Sequence, residues 1–257
     1  MVSLASILCV ILNILICFCI PIGIFLYLLI KKHNVIKPFF VGMGIFIVFQ
    51  LLTRIPVLNM LSQKSWFLNL SSNSWIYGLF LGGTAALFET TGRFIAFKFL
   101  LKKNRTFVDG IGYGIGHGGI EAMALVGLTN INNLILMLAI NSGVFQALTG
   151  SLPTSTVEMI YNQLTGISAG TFLLGGIERI SVIIIQIALA LLVLYAVKYK
   201  EYKYLLLSFL IHACLDAGVV ILPSRFNMSM GALEVLIGIL AICMLVSMYR
   251  KRKSFDT

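Results

Sequence analysis

Long apolar runs, separated by short polar segments, dominate the hydrophobic pattern of this chain. A helix that crosses the hydrocarbon core of a bilayer needs about 20 predominantly apolar residues. Runs of about that length or longer cover residues 4–30, 38–58, 75–101, 108–127, 170–197, 204–222 and 230–249. The pattern therefore predicts an all-α protein, a polytopic bundle of transmembrane helices.

One further apolar segment, 131–149, is harder to interpret. It is short, and Asn141, Gly143 and Gln146 interrupt it. If it is re-entrant or lies against the bundle, the chain has seven spans. If it crosses the membrane, the chain has eight. The pattern favours seven spans and one partial segment.

Basic residues cluster just outside the apolar runs, at 31–37, 98–105, 198–203 and 250–253. Loops rich in Lys and Arg normally stay in the cytoplasm, so these four segments should be cytoplasmic. We therefore expect the N-terminus outside and the C-terminus inside the cell. Basic residues so placed indicate topology and contact with anionic headgroups, and no nucleic-acid partner.

Composition agrees with a protein that is embedded in the bilayer. The 257 residues are 59% hydrophobic and 11% charged, with a net charge of +10 and a mean hydropathy of +1.01. Soluble domains are about half apolar and a quarter charged. We expect a single integral membrane domain over residues 1–257, without a soluble module.

Three pairs of ionisable residues inside these runs are spaced four residues apart. On a helix, residues i and i+4 lie on one face about one turn apart. An ionisable group at bilayer depth is energetically costly and usually marks a functional site. The pairs are Glu89 with Arg93, His117 with Glu121, and His212 with Asp216.

Each pair has a structural and a functional interpretation. Glu89 and Arg93 either neutralise one another as an internal ion pair or present a carboxylate that accepts a proton from water. His117 follows a glycine-rich stretch, 110–116, and is suited to stabilise an oxyanion, donate a proton or bind a metal. Asp216 is placed to fix the tautomer of His212.

Two further charged residues, Glu178 and Arg179, are adjacent within the apolar run 170–197. Glu178 is balanced between a site residue and a structural residue. Its neighbour Arg179 should point elsewhere, because adjacent helical residues diverge, and it is interpreted as a headgroup anchor. The small residues around His117 should let neighbouring helices and a substrate backbone approach it.

The first residues of the pairs should also lie at similar depth. Glu89 precedes the basic boundary at Lys98 by nine residues, which is roughly 13 Å of helix. His117 and His212 lie similar distances from Asp109 and Lys203. The three helices should therefore contribute to one site.

The ordered motifs resemble a known superfamily. Glu89-x-x-x-Arg93, Tyr113-x-x-x-His117 and a late His212-x-x-x-Asp216 resemble the CPBP superfamily, which includes the type II CAAX prenyl endopeptidases. The Gly-His-Gly-Gly-Ile-Glu stretch at 116–121 is most similar to its YhfC branch of intramembrane metalloproteases. The resemblance covers about residues 75–222 and implies a helical bundle that hydrolyses peptide bonds in a bacterial plasma membrane.

Two departures leave the roles open. Phe88 stands where the superfamily has the first of two glutamates, and Asp216 stands where Asn is frequent. Our hypothesis is an intramembrane endopeptidase for membrane peptides or proteins, in which Glu89 or Glu121 activates water. His117 and His212 would polarise the carbonyl, with Arg93 and Asp216 orienting them.

Two alternatives concern the metal and the function. His117, Glu121 and His212 would suit Zn²⁺ with an open position, or the mechanism is a glutamate mechanism without a metal. The function classes that compete with a protease are a non-catalytic scaffold or bacteriocin-immunity protein and a proton-coupled transporter. Nothing in the chain indicates a prenylated substrate.

Overall fold

A computed structural model describes residues 1–255 of the chain, and these residues form helices and short connections with no strand. The predicted all-α class is therefore confirmed. The ten helices are α1 (Leu4–Ile30), α2 (Ile36–Leu61), α3 (Ser65–Ser71), α4 (Ser74–Ile95), α5 (Phe107–Ser142), α6 (Phe145–Thr149), α7 (Thr154–Gly166), α8 (Ala169–Tyr199), α9 (Lys203–Phe226) and α10 (Met230–Arg250).

Six of the described helices are long and apolar enough to cross a membrane: α1, α2, α5, α8, α9 and α10. The chain is thus an integral membrane protein, with six such helices where seven or eight spans were predicted. The predicted run 75–101 is helical, as α4 and a π-helical turn at Ala96–Leu100. It is not among the six because its glycines, threonines and the Glu89–Arg93 pair lower its hydropathy.

The second difference concerns α5, which joins two segments that the pattern separates. Segments 108–127 and 131–142 form one helix of 36 residues, about 54 Å long at 1.5 Å per residue. A π-helical stretch at Ala122–Gly127 lies between its two α-helical parts. The helix ends at Gly143, whose φ of 79° is a left-handed conformation typical of a glycine C-cap. The polar residues between the segments do not break the helix.

Contacts between residues divide the chain into two compact units. The first unit contains Met1–Ile20 and Glu121–Ile180. The second unit contains Pro21–Ile120 and the chain from Ser181 onward. Each unit is therefore assembled from two separate stretches of sequence.

The first unit has an apolar core that includes Val2, Val10, Met137 and Leu164. The backbone of Val2 is also held by a side chain. Its N–H donates to Oδ1 of Asn141 at 2.7 Å, and Nδ2 of Asn141 donates to the Val2 carbonyl at 2.9 Å. One amide thus satisfies both backbone groups at the start of the chain.

Glycine allows close helix approach in the second unit. A Cβ on Gly82 of α4 would lie 2.6 Å from the backbone nitrogen of Ala217 in α9. On α5, a Cβ on Gly116 would meet the Phe39 backbone of α2, and one on Gly114 would meet the Ile187 backbone of α8. The predicted role of glycine in helix approach is confirmed, since only the absent side chain permits these contacts.

Side-chain caps fix where two of these helices begin. Asn73 Oδ1 accepts a hydrogen bond from the Trp75 N–H at 3.0 Å, which begins α4. At the start of α5, the Thr106 N–H donates to Asp109 Oδ2 and the Asp109 N–H donates to Thr106 Oγ1. This reciprocal pair is a capping box, which satisfies amides that have no partner within the helix. The two caps thus fix the residues at which the helices carrying Glu89 and His117 begin.

Candidate functional site

The carboxylate of Glu89 lies at the centre of a buried polar cluster in the second unit. Glu89 is only 3% exposed. Its Oε1 accepts a hydrogen bond from Nε2 of Gln50 at 2.5 Å. Its Oε2 accepts one from Arg93 at 2.7 Å and lies 2.9 Å from Nε2 of His117. Helices α2, α4 and α5 thus all supply groups to one carboxylate.

The guanidinium of Arg93 extends the cluster to two more helices. It is fully buried and donates to Oε1 of Gln186 on α8. Its Nη1 lies 3.4 Å from Nδ1 of His212 on α9, and its Nη2 lies 3.4 Å from Nε2 of His117. The Glu89–Arg93 pair is therefore more than a self-neutralising pair within one helix, because both members contact imidazoles.

Aromatic rings hold the imidazole of His117 in place. The ring of Tyr113, one turn earlier on α5, stacks on it at a centroid distance of 5.9 Å. The ring of Phe46 meets it edge-on at 5.3 Å. Among the described residues, Nδ1 of His117 and the hydroxyl of Tyr113 are buried without a hydrogen-bond partner. The site thus holds polar atoms that remain available to a bound molecule.

His212 joins the cluster from α9, with Asp216 beside it. Its Nε2 lies 3.8 Å from Oε2 of Glu89 and 3.5 Å from Oδ2 of Asp216. The side chain of Asp216 is 42% exposed, whereas that of His212 is only 5% exposed. Asp216 therefore contacts the site through His212, at its accessible edge.

Three polar residues of this cluster were not identified from the sequence. They are Gln50, Gln186 and Arg54. Gln50 lies in a π-helical stretch of α2, Ile47–Arg54, and such stretches are frequent at functional sites. Arg54 donates to Oε1 of Gln50 at 3.3 Å and to the Leu81 carbonyl at 2.7 Å. The available signal was an amide or an arginine inside an otherwise apolar run.

Glu121 and Glu178 belong to the first unit, where both contact Arg179. Nη1 of Arg179 lies 3.6 Å from Oε1 of Glu121, and its Nη2 donates to Oε1 of Glu178. Arg179 is only 9% exposed. The interpretation of Arg179 as a headgroup anchor is therefore wrong. Its long side chain reaches the carboxylate of the adjacent residue although the two Cα–Cβ bonds diverge.

The second-unit cluster offers donors of the types that a divalent metal binds. Two imidazoles and a carboxylate are common zinc ligands. Oε2 of Glu89 lies 2.9 Å from Nε2 of His117 and 3.8 Å from Nε2 of His212. The donor set therefore fits a metal in type. Arg93 contacts the same three residues, so its guanidinium competes with a metal for their lone pairs.

Comparisons with known proteins agree with the motifs. The model of the YhfC intramembrane metalloprotease family matches residues 16–237. The chain is also similar to the uncharacterized membrane protein YhfC of Bacillus subtilis (strain 168), with 33% identity over 244 residues, which are 94% of each protein. No solved structure matches the chain.

Proposed function

Because the chain belongs to the YhfC intramembrane metalloprotease family, we propose that it is an intramembrane endopeptidase that hydrolyses peptide bonds of membrane-associated peptides or proteins. The observation that carries the proposal is the buried Glu89 carboxylate, which lies 2.9 Å from His117. A carboxylate paired with an imidazole in a site that excludes bulk water is suited to proton transfer.

Glu89 is the general base in this proposal. Its carboxylate contacts His117 and lies near His212, so a water held there would be within reach of both imidazoles. Glu121, the other candidate, is paired with Arg179. The ion pair with Arg93 stabilises the ionised form of Glu89. Gln50 holds the second carboxylate oxygen and leaves Oε2 directed at the imidazoles.

His117 and His212 act on the carbonyl of the scissile bond. As proton-bearing imidazoles, they stabilise the negative charge that develops on its oxygen. Asp216 orients His212 from one turn away. Arg93 and Gln186 are hydrogen-bonded to one another. Together they hold the Glu89 carboxylate and both imidazoles in position.

If the mechanism is metal-dependent instead, Glu89 and His117 are the residues of the second unit that would hold the ion, and His212 lies 3.8 Å from the same carboxylate oxygen. When bound, a divalent metal polarises the carbonyl and activates water. The contribution of the protein is to bring the three side chains together and to keep the site dry. Elemental analysis of purified protein tests this part. Stoichiometric zinc that is lost in His117→Ala supports it, and active protein without a metal contradicts it.

The function is tested by comparing new peptide termini in membrane fractions. Cells carry the wild-type protein, Glu89→Gln or Glu121→Gln at matched levels. We expect a set of termini that disappears with Glu89→Gln and persists with Glu121→Gln. If all three profiles match while a phenotype of the gene persists, the protein acts as a scaffold or carrier, and the protease proposal fails.

A further inference from the structure

An apolar groove of about 370 Å³ runs between α8, α9 and α10 in the second unit. This volume lies within the range of about 300–1,000 Å³ that small-molecule sites occupy. Helix α8 contributes Ala188 and Leu192, α9 contributes Leu207 and Ile211, and α10 contributes Leu240 and Met244. The groove is therefore suited to a long aliphatic chain.

Polar groups occur at one end of this groove only. Tyr204, Ser247 and Lys251 line that end. The ammonium of Lys251 lies 4.9 Å from the centroid of the Tyr204 ring. The hydroxyl of Ser247 donates to the Cys243 carbonyl within α10, at 2.7 Å. An exposed cation thus lies at the mouth of an apolar groove.

The surrounding chain makes this mouth strongly basic. Segments 198–203 and 250–253 contribute seven basic residues and one carboxylate, Glu201. Glu201 is paired with Lys203 at 2.7 Å. The Tyr199 hydroxyl of the first segment donates to the carbonyl of Ser254, the residue that follows the second segment, so the two segments lie close together. Basic pockets between transmembrane helices bind anionic headgroups.

We propose that this groove is a specific site for an anionic phospholipid, with an acyl chain between α8, α9 and α10 and the headgroup phosphate on Lys251. Charge complementarity selects the anionic headgroup. A peptide is a poorer occupant, because its backbone groups would need hydrogen-bond partners inside the membrane. The groove offers such groups at its mouth alone.

The headgroup part is tested on the purified full-length chain in detergent. Native mass spectrometry measures dissociation constants for phosphatidylglycerol and phosphatidylcholine with identical acyl chains. We expect the wild type to prefer phosphatidylglycerol by about fivefold or more. Lys251→Ala should abolish the preference. Lys103→Ala, which removes an exposed lysine from another basic boundary, should retain it.

The acyl-chain part is tested by filling the groove. Cys243→Trp should weaken the binding of both lipids, because Cys243 lines the groove. Ile242→Trp is the matched control, because Ile242 is 60% exposed and lies outside the groove. Equal affinities for the two lipids, equal effects of the two lysine variants, or unchanged binding in Cys243→Trp would each overturn the proposal.

Discussion

Each unit contains a buried polar cluster, and the two clusters compensate their buried charges with different partners. In the Arg179 cluster, one guanidinium contacts two carboxylates, Glu121 and Glu178. In the Glu89 cluster, one carboxylate contacts an arginine and two amides and lies near two imidazoles. Both clusters compensate their charges, and the Glu89 cluster also places two imidazoles near its carboxylate.

This difference indicates which buried carboxylate is suited to proton transfer. The arginine stabilises the ionised form of the two carboxylates that it contacts. In the Glu89 cluster, His117 and His212 lie close enough to the carboxylate to take part in proton transfer with it. The following predictions test whether the two clusters differ in this way.

The largest expected effect is on catalysis at Glu89. The new peptide termini in membrane fractions identify the substrate for this test. On that substrate, Glu89→Gln should lower the cleavage rate by about 10²- to 10⁴-fold, because the general base is lost. Glu121→Gln should lower it by less than about tenfold, because Glu121 pairs with Arg179. Cleavage rates in proteoliposomes measure both. Equal losses of cleavage rate in the two variants would contradict the assignment of Glu89, and not Glu121, as the general base.

The second expected effect is on stability. Arg93→Ala leaves the buried Glu89 carboxylate without its cation, and removing one member of a buried pair destabilises by about 3–5 kcal/mol. Arg179→Ala should destabilise less, by about 1–3 kcal/mol, since the side chains of Glu121 and Glu178 are 13% and 23% exposed. Unfolding in mixed detergent micelles measures both free energies. A larger loss in Arg179→Ala would reverse the comparison.

A third effect is expected at the helix contact that positions the Glu89 cluster. Gly116→Ala places a methyl group against the Phe39 backbone, and such overpacking costs about 1–3 kcal/mol. It should also reduce activity, because α2 carries Gln50. Gly83→Ala is the control, because nothing lies within 4 Å of a Cβ at that position. The same unfolding assay applies, and equal stabilities would contradict the close contact.

The smallest effect is expected at the rim of the Glu89 cluster. Asp216→Asn keeps the shape of the side chain and, because its side chain is 42% exposed, should reduce cleavage by less than about tenfold. His212→Ala should reduce it more, because His212 itself contacts Arg93 and lies near Glu89. Cleavage rates of both variants decide the order. An equal or larger loss in Asp216→Asn would assign Asp216 a direct role.

The residues of the candidate site were predictable where the pattern is local. Helical spacing alone placed Arg93 on the face of Glu89 and Asp216 on the face of His212, and the structure has both contacts. The glycines around His117 were predictive as well, because they have no side chain and so permit an approach whichever helix makes it.

Other features depend on tertiary contacts that a single sequence does not encode visibly. Gln50 and Gln186 each interrupt an apolar run by one amide, a signal too weak to distinguish from a lipid-facing residue. Glu121 pairs with Arg179, which lies 58 positions later in the chain. The continuity of α5 was missed because hydropathy falls between its segments, whereas the helix ends only where Gly143 adopts a positive φ.

The pairing of Val2 with Asn141 has a consequence for biosynthesis. The ribosome delivers α1 before α5, and the amide that holds the beginning of α1 is made 139 residues later. Until then the Val2 backbone has no native partner, and the nascent first unit cannot close. Because each unit is completed by a late stretch of chain, nascent chains truncated before Asn141 should remain sensitive to membrane quality-control proteases.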